Sequence, residues 1–149
     1  MILMIYTKKF LIRTIAFLLA FVFLLPINGY AEDYAISPYA SYYLDAYNTY
    51  ICDVGNGRLE NWFEVMGTGD MDEIGTLSIE LYEVTSNGSL NWVKTFLHED
   101  YSTMLSYNDW YHYSYVSYQG SSSKTYKAYV CIWAGKNGSG DTRYMWALE

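Results

Sequence analysis

Leu77, Ile79 and Leu81 alternate with Ser78, Glu80 and Tyr82. An apolar residue at every second position is the signature of a strand with one face buried and one face wet. The same period runs through 58–66, where Leu59, Phe63 and Val65 read as inward and Glu60, Trp62 and Glu64 as outward. Turn chemistry punctuates these runs. Asn56-Gly57 and Asn87-Gly88 supply the positive φ angles that tight hairpins need. Short strands separated by turn signals every ten or so residues, with no helix alternating between them, predict an all-β antiparallel β-sandwich. About seven or eight strands are expected, immunoglobulin-like or jelly-roll-like.

The remaining segments follow from the same reasoning. Residues 41–45 and 49–53 read as two short strands, and 90–97 as the strand after the second hairpin turn. The stretch 67–75 is polar, acidic and glycine-rich and reads as a loop. Residues 98–110 read as a long irregular connection with a helical turn near 102–105, and 111–119 as a strand with Tyr111, Tyr113 and Tyr115 on one face. Residues 124–134 are apolar on both faces, which suits a central strand covered on both sides. A glycine-rich turn at 135–141 and a closing strand at 142–148 complete the pattern.

The first thirty-one residues are set apart. Lys8, Lys9 and Arg13 precede an unbroken apolar run at 15–25, and Gly29-Tyr30-Ala31 offers small residues where a signal peptidase reads them. This is the pattern of a secretory signal peptide, with cleavage expected after Ala31. The run is too short for a spanning helix, which needs about 20 apolar residues. The expectation is a secreted, extracellular single domain at 32–149 with no membrane anchor after cleavage. The leader holds three of the nine basic residues and none of the sixteen acidic ones, so the remaining 118 residues carry a net charge of −10. Such a surface repels phosphate backbones, which argues against nucleic acid as a partner.

No constellation of catalytic residues stands out. The two histidines, His98 and His112, have no nucleophile in a recognised setting. Glu60 and Glu64 share a strand face about 13 Å apart by strand rise, wider than the carboxylate spacing of glycoside hydrolysis. A cross-strand pair with Glu80 would be needed for a small Asp/Glu hydrolase. Asp70 and Asp72, followed by Gly75, open like a calcium loop, but Ile74 and Leu81 occupy later ligand positions, so no metal or other cofactor is expected. Cys52 and Cys131 are the only cysteines. They read either as a disulfide, which an exported chain permits, or as two buried thiols. Cys52, a Trp ten residues later and Tyr129-x-Cys131 also form a weak immunoglobulin-like pattern.

The aromatic content points elsewhere. Eighteen Tyr and five Trp are more flat ring than a core of this size needs. Rings on a solvent-facing sheet stack on sugars, and carboxylates beside them accept hydroxyl hydrogen bonds. Trp62 between Glu60 and Glu64, with Trp110 and Tyr111, is the candidate binding set. The expected partner is an extracellular carbohydrate or protein surface. An antagonistic or signalling protein is the third alternative.

The stretches NWFEVMGTGDMDEIG, SYNDWYHYSYVSYQG and YKAYVCIWAGKNGSGDTRYMW resemble a family of small secreted proteins of Gram-positive bacteria, a domain of unknown function. The likeness runs from about Tyr43 to Trp146. It implies a bacterial exported protein with one domain, and it transfers no activity, ligand or catalytic residue.

Overall fold

A computed structural model describes residues 41–148. The expected leader and its cleavage site lie outside the described residues. The chain runs as β1 (Leu44–Asp53), β2 (Arg58–Val84), β3 (Leu90–Leu97), a 3-10 turn (Ser102–Met104), β4 (Leu105–Gln119), β5 (Thr125–Lys136) and β6 (Ser139–Leu148). All pairings are antiparallel. No helix among the described residues is long and apolar enough to cross a membrane.

The all-β expectation stands, but the strand count and the layout differ from the predicted sandwich. The described residues form six strands, and all belong to one curled sheet. Two of the predicted breaks are absent. Residues 41–45 and 49–53 do not make two strands, because β1 runs unbroken from Leu44. The predicted acidic loop at 67–75 is the middle of β2, a strand of 27 residues. Polar composition there misleads because the backbone finds partners on both edges. Met71, Glu73, Ile74 and Gly75 pair with β4, while Glu73, Ile74, Gly75 and Thr76 pair with β5.

β2 is thus the spine. Its first half lies between β1 and β4, and its second half between β3 and β5, with β6 beyond β5. Register slips between Met66 and Met71 and between Thr76 and Ser78 bend it, as bulges do. The bend turns the inner faces of the two halves toward each other. Ile51, Leu59 and Val116 from one half and Ile79, Leu81 and Phe96 from the other line a single small void of about 10 Å³. Of the inward residues read from the sequence, Leu59, Phe63, Val65, Ile79 and Leu81 are buried, while Leu77, at the register slip between Thr76 and Ser78, is only half-buried.

Turn chemistry fixes the hairpins. Asn56 and Gly57 have φ of 56° and 73°, and Asn137 and Gly138 have 54° and 74°. Two consecutive left-handed residues make the tight turn whose twist matches that of the strands it joins. At the bend, Gly75 has φ 145°. A Cβ built there would stand 2.1 Å from the Met104 carbonyl oxygen. Gly75→Ala is therefore expected to destabilise the fold by at least about 1–3 kcal/mol, read from urea unfolding midpoints. An unchanged midpoint would show that the bend is not a constraint.

The open end of β1 is tied to β6 by Asp141. Its carboxylate accepts from the Ser41 hydroxyl and from the Tyr43 N–H at 3.1 Å. The Ser41 hydroxyl, the backbone amides of Tyr43 and Tyr42 and nearby Arg143 outweigh burial and hold the Asp141 carboxyl below its ordinary range. A depressed folded-state value stabilises above the unfolded value, near 3.9, and is lost as pH falls through the folded value. Asp141→Asn should cost about 1–2 kcal/mol at neutral pH. The deficit should vanish in acid, and a deficit independent of pH would contradict this role.

Candidate functional site

Strand alternation places Glu60, Trp62 and Glu64 on the outer face of the first half of β2. Register then decides their neighbours. Trp62 stands opposite Tyr50 on β1 and Tyr115 on β4, and Glu64 stands opposite Tyr113 on β4. The indole of Trp62 stacks on Tyr113 at 5.0 Å between centroids and lies 4.5 Å from Tyr115. Tyr50 and Tyr113 join hydroxyls at 3.2 Å. The result is a continuous plate of rings from three adjacent strands.

Carboxylates border this plate and are held by it. Glu60 accepts from the Trp62 indole N–H at 3.2 Å and pairs with Arg58 at 2.5 Å. Glu64 accepts from the Tyr111 hydroxyl at 3.0 Å. Burial, followed by this bond to Glu64, pushes the Tyr111 hydroxyl above its ordinary value. Trp110, 51% exposed, lies beside Tyr111 with ring centroids 5.7 Å apart. All five residues singled out in the sequence therefore meet in one cluster. Glu60 is covered although it faces outward, because Arg58 and Trp62 hold its two oxygens.

Beneath the plate, Asn61 supplies a polar anchor. Its side-chain amide donates to Thr49 Oγ1 at 2.9 Å and to the carbonyls of Tyr50 and Trp62. Thr49 in turn donates to the Trp62 carbonyl at 2.7 Å. The backbone that carries the plate is thus tied from its buried side. Alternation marks position 61 as inward but does not show that an amide there would find three acceptors.

A second group of rings covers the outer face of the other half. Tyr129 stacks on Tyr144 at 5.6 Å and lies 4.9 Å from Trp146, which is 5.8 Å from Tyr82. The Tyr82 hydroxyl donates to Glu80. Sequence reasoning did not assemble this group, because its members come from β2, β5 and β6 and only register joins them.

Other sequence candidates are placed apart. Glu80 stands on the second half of β2, opposite Thr95 and Tyr129, and does not converge with Glu60 or Glu64. His98 is 3.3 Å from Glu99, and His112 Nε2 is 2.8 Å from the Thr103 carbonyl with its ring against Phe63. Asp70 and Asp72, the weak calcium candidate of the sequence, lie in a strand and not in a loop. Asp72 accepts from the Asn137 N–H at 2.6 Å, and the Asp70 carbonyl accepts from Lys136 Nζ at 2.7 Å. No group of three metal-ligating side chains occurs among the described residues.

The disulfide alternative is corrected as well. Both cysteines are free. Cys52 stands opposite Glu60 and Cys131 opposite Ser78, at well-separated points along β2. Burial pushes the Cys131 thiol up, partly offset by hydrogen bonds with Tyr144 and Ser78.

Compared with family models, with curated proteins and with solved structures, the chain finds no match in any of the three.

The Tyr50–Tyr113 pair offers a direct check on the plate. The hydrogen bond to Tyr113, followed by burial, raises Tyr50 to about 12. Its unfolded form titrates near 10, so the native state keeps a proton that the unfolded state has lost between those values. Stability should therefore fall with rising pH in that window. Ultraviolet titration should find a tyrosine ionising late, and Tyr113→Phe should return it toward 10. A late-titrating tyrosine that survives Tyr113→Phe would rule out this pairing as the cause.

Proposed function

We propose that the protein is an exported bacterial binding module whose outer sheet face takes a carbohydrate chain. The observation that carries this reading is the ring plate of Trp62, Tyr113, Tyr115 and Tyr50, with Glu60 and Glu64 beside it. A pyranose presents apolar C–H faces and a rim of hydroxyls. Flat rings bury the faces, and the half-buried Glu64 carboxylate, which keeps lone pairs free beside its bond to Tyr111, accepts from the rim. Glu60 and Glu64 are already oriented by bonds to Trp62, Arg58 and Tyr111, so little side-chain freedom is lost on binding. A preformed site of this kind suits a weakly apolar, hydroxyl-rich ligand better than a large protein surface.

The second ring group on the same outer face, around Tyr129 and Trp146, favours a polymer over a single sugar. Two modest sites on one chain raise avidity without tighter contacts at either. Export is read from the leader at 1–31 and from the resemblance to small secreted proteins.

Binding to a glycan array and to purified cell-wall polysaccharide tests this. Trp62→Ala should weaken binding about tenfold, the loss of roughly 1.4 kcal/mol of stacking. Absence of binding above background across the array and the wall material would remove the carbohydrate reading.

A further inference from the structure

A groove of about 460 Å³ lies at the bend, separate from the ring plate. Its base comes from one cross-strand row of the sheet, in which Gly140, Gly135, Glu73 and Tyr107 lie side by side on β6, β5, β2 and β4. The two glycines leave room that the Trp133 indole fills. A Cβ at Gly135 would stand 2.5 Å from Trp133 Cζ2, and one at Gly140 would stand 2.3 Å from its Cη2. The indole nitrogen is buried with no acceptor among the described residues, so packing rather than a hydrogen bond holds the ring there. Tyr107, 60% exposed, lines the groove as well. Gly135 and Tyr107 are two strand spacings apart, about 10 Å, and Glu73 lies between them.

The polar groups are distributed unevenly. The Glu73 carboxylate accepts no hydrogen bond among the described residues, and it is the one acidic group lining the groove that is uncommitted. Asp72 gives one oxygen to the Asn137 N–H, leaving the other. Lys136 also lines the groove, but its ammonium is drawn to the Asp70 carbonyl. Asn108 and Ser139 add an amide and a hydroxyl. Asn108 has φ 53°, a conformation that costs energy outside turns.

We infer that this groove binds a hexosamine with a free amine, its ammonium paired with Glu73 between Trp133 and Tyr107. A carboxylate bordered by aromatic rings favours an organic cation through charge and through the electron-rich ring faces. A quaternary ammonium such as choline has no N–H donor and a single hydroxyl, and would leave most of Asn108, Ser139 and Asp72 without partners. An amino sugar supplies both the cation and the hydroxyls. The groove is built from residues distinct from the ring plate, so this inference does not depend on the reading of that plate.

Titrating the purified protein with glucosamine oligomers and with their N-acetylated counterparts tests it. The free-amine oligomer should bind about tenfold tighter, and added salt should shrink that margin. Glu73→Gln should abolish the margin, Tyr107→Ala should weaken the free-amine oligomer, and Trp62→Ala should leave the margin intact. In NMR the Trp133 indole signal should move on titration with glucosamine. Equal affinity for the two oligomers, a margin that survives Glu73→Gln, an unmoved Trp133 signal, or tighter binding of choline than of glucosamine would each overturn the inference. Loss of the margin through Trp62→Ala would place the amine at the plate and would equally overturn it.

Discussion

Both edges of one long strand are occupied along most of its length, and everything else in the structure depends on that. β2 hydrogen-bonds to β1 and β4 in its first half and to β5 and β3 in its second. A flat strand of this length would leave each half of its apolar face exposed. The slips near Met66 and Thr76, with Gly75 between them, fold the inner face onto itself. One core then serves both halves, and the outer face is left as a single curved surface. The ring groups and the groove all lie on that surface. Their separation is set by the bend in β2 and not by any loop.

How much of this can be read from the chain depends on the range of the interaction. Period-two alternation is local, and it correctly orients Leu59, Phe63 and Val65 inward and Trp62 outward. Asn56-Gly57 is also local, and its left-handed angles appear as expected. The stretch 67–75 fails by the same logic. Its glycines and acids look like a loop because nothing local shows that β4 and β5 will pair with it from either side. Of the acids there, Asp72 is met at long range by the Asn137 amide, and Lys136 reaches the backbone carbonyl of Asp70.

The candidate site divides in the same way. Glu60, Trp62 and Glu64 are legible as one outward face, and Tyr111, Tyr113 and Tyr115 as another. That the two faces adjoin, with Tyr50 on the far side, requires the register between β1, β2 and β4. The groove was beyond reach for a further reason. Its distinguishing residues, Gly135 and Gly140, matter because they lack side chains, and the ring that fills that space, Trp133, reads in sequence only as the covered face of a strand. Compartment and count leave the cysteines open between a disulfide and two thiols because they say nothing of geometry, and register keeps Cys52 and Cys131 apart.

The pairing of β2 also orders events before the fold exists. Its contacts with β1 and β3 close through short hairpins, but Arg58 meets Gln119 and Glu73 meets Gly135. These partners are made and delivered last. Until they arrive, one edge of each half of β2 is open, beside residues as apolar as Phe63 and Ile79. A sheet dominated by such distant pairings closes slowly, and an open apolar edge invites pairing with another chain. The period during which this protein is most vulnerable to aggregation is therefore the interval between synthesis of its spine and arrival of β4 and β5.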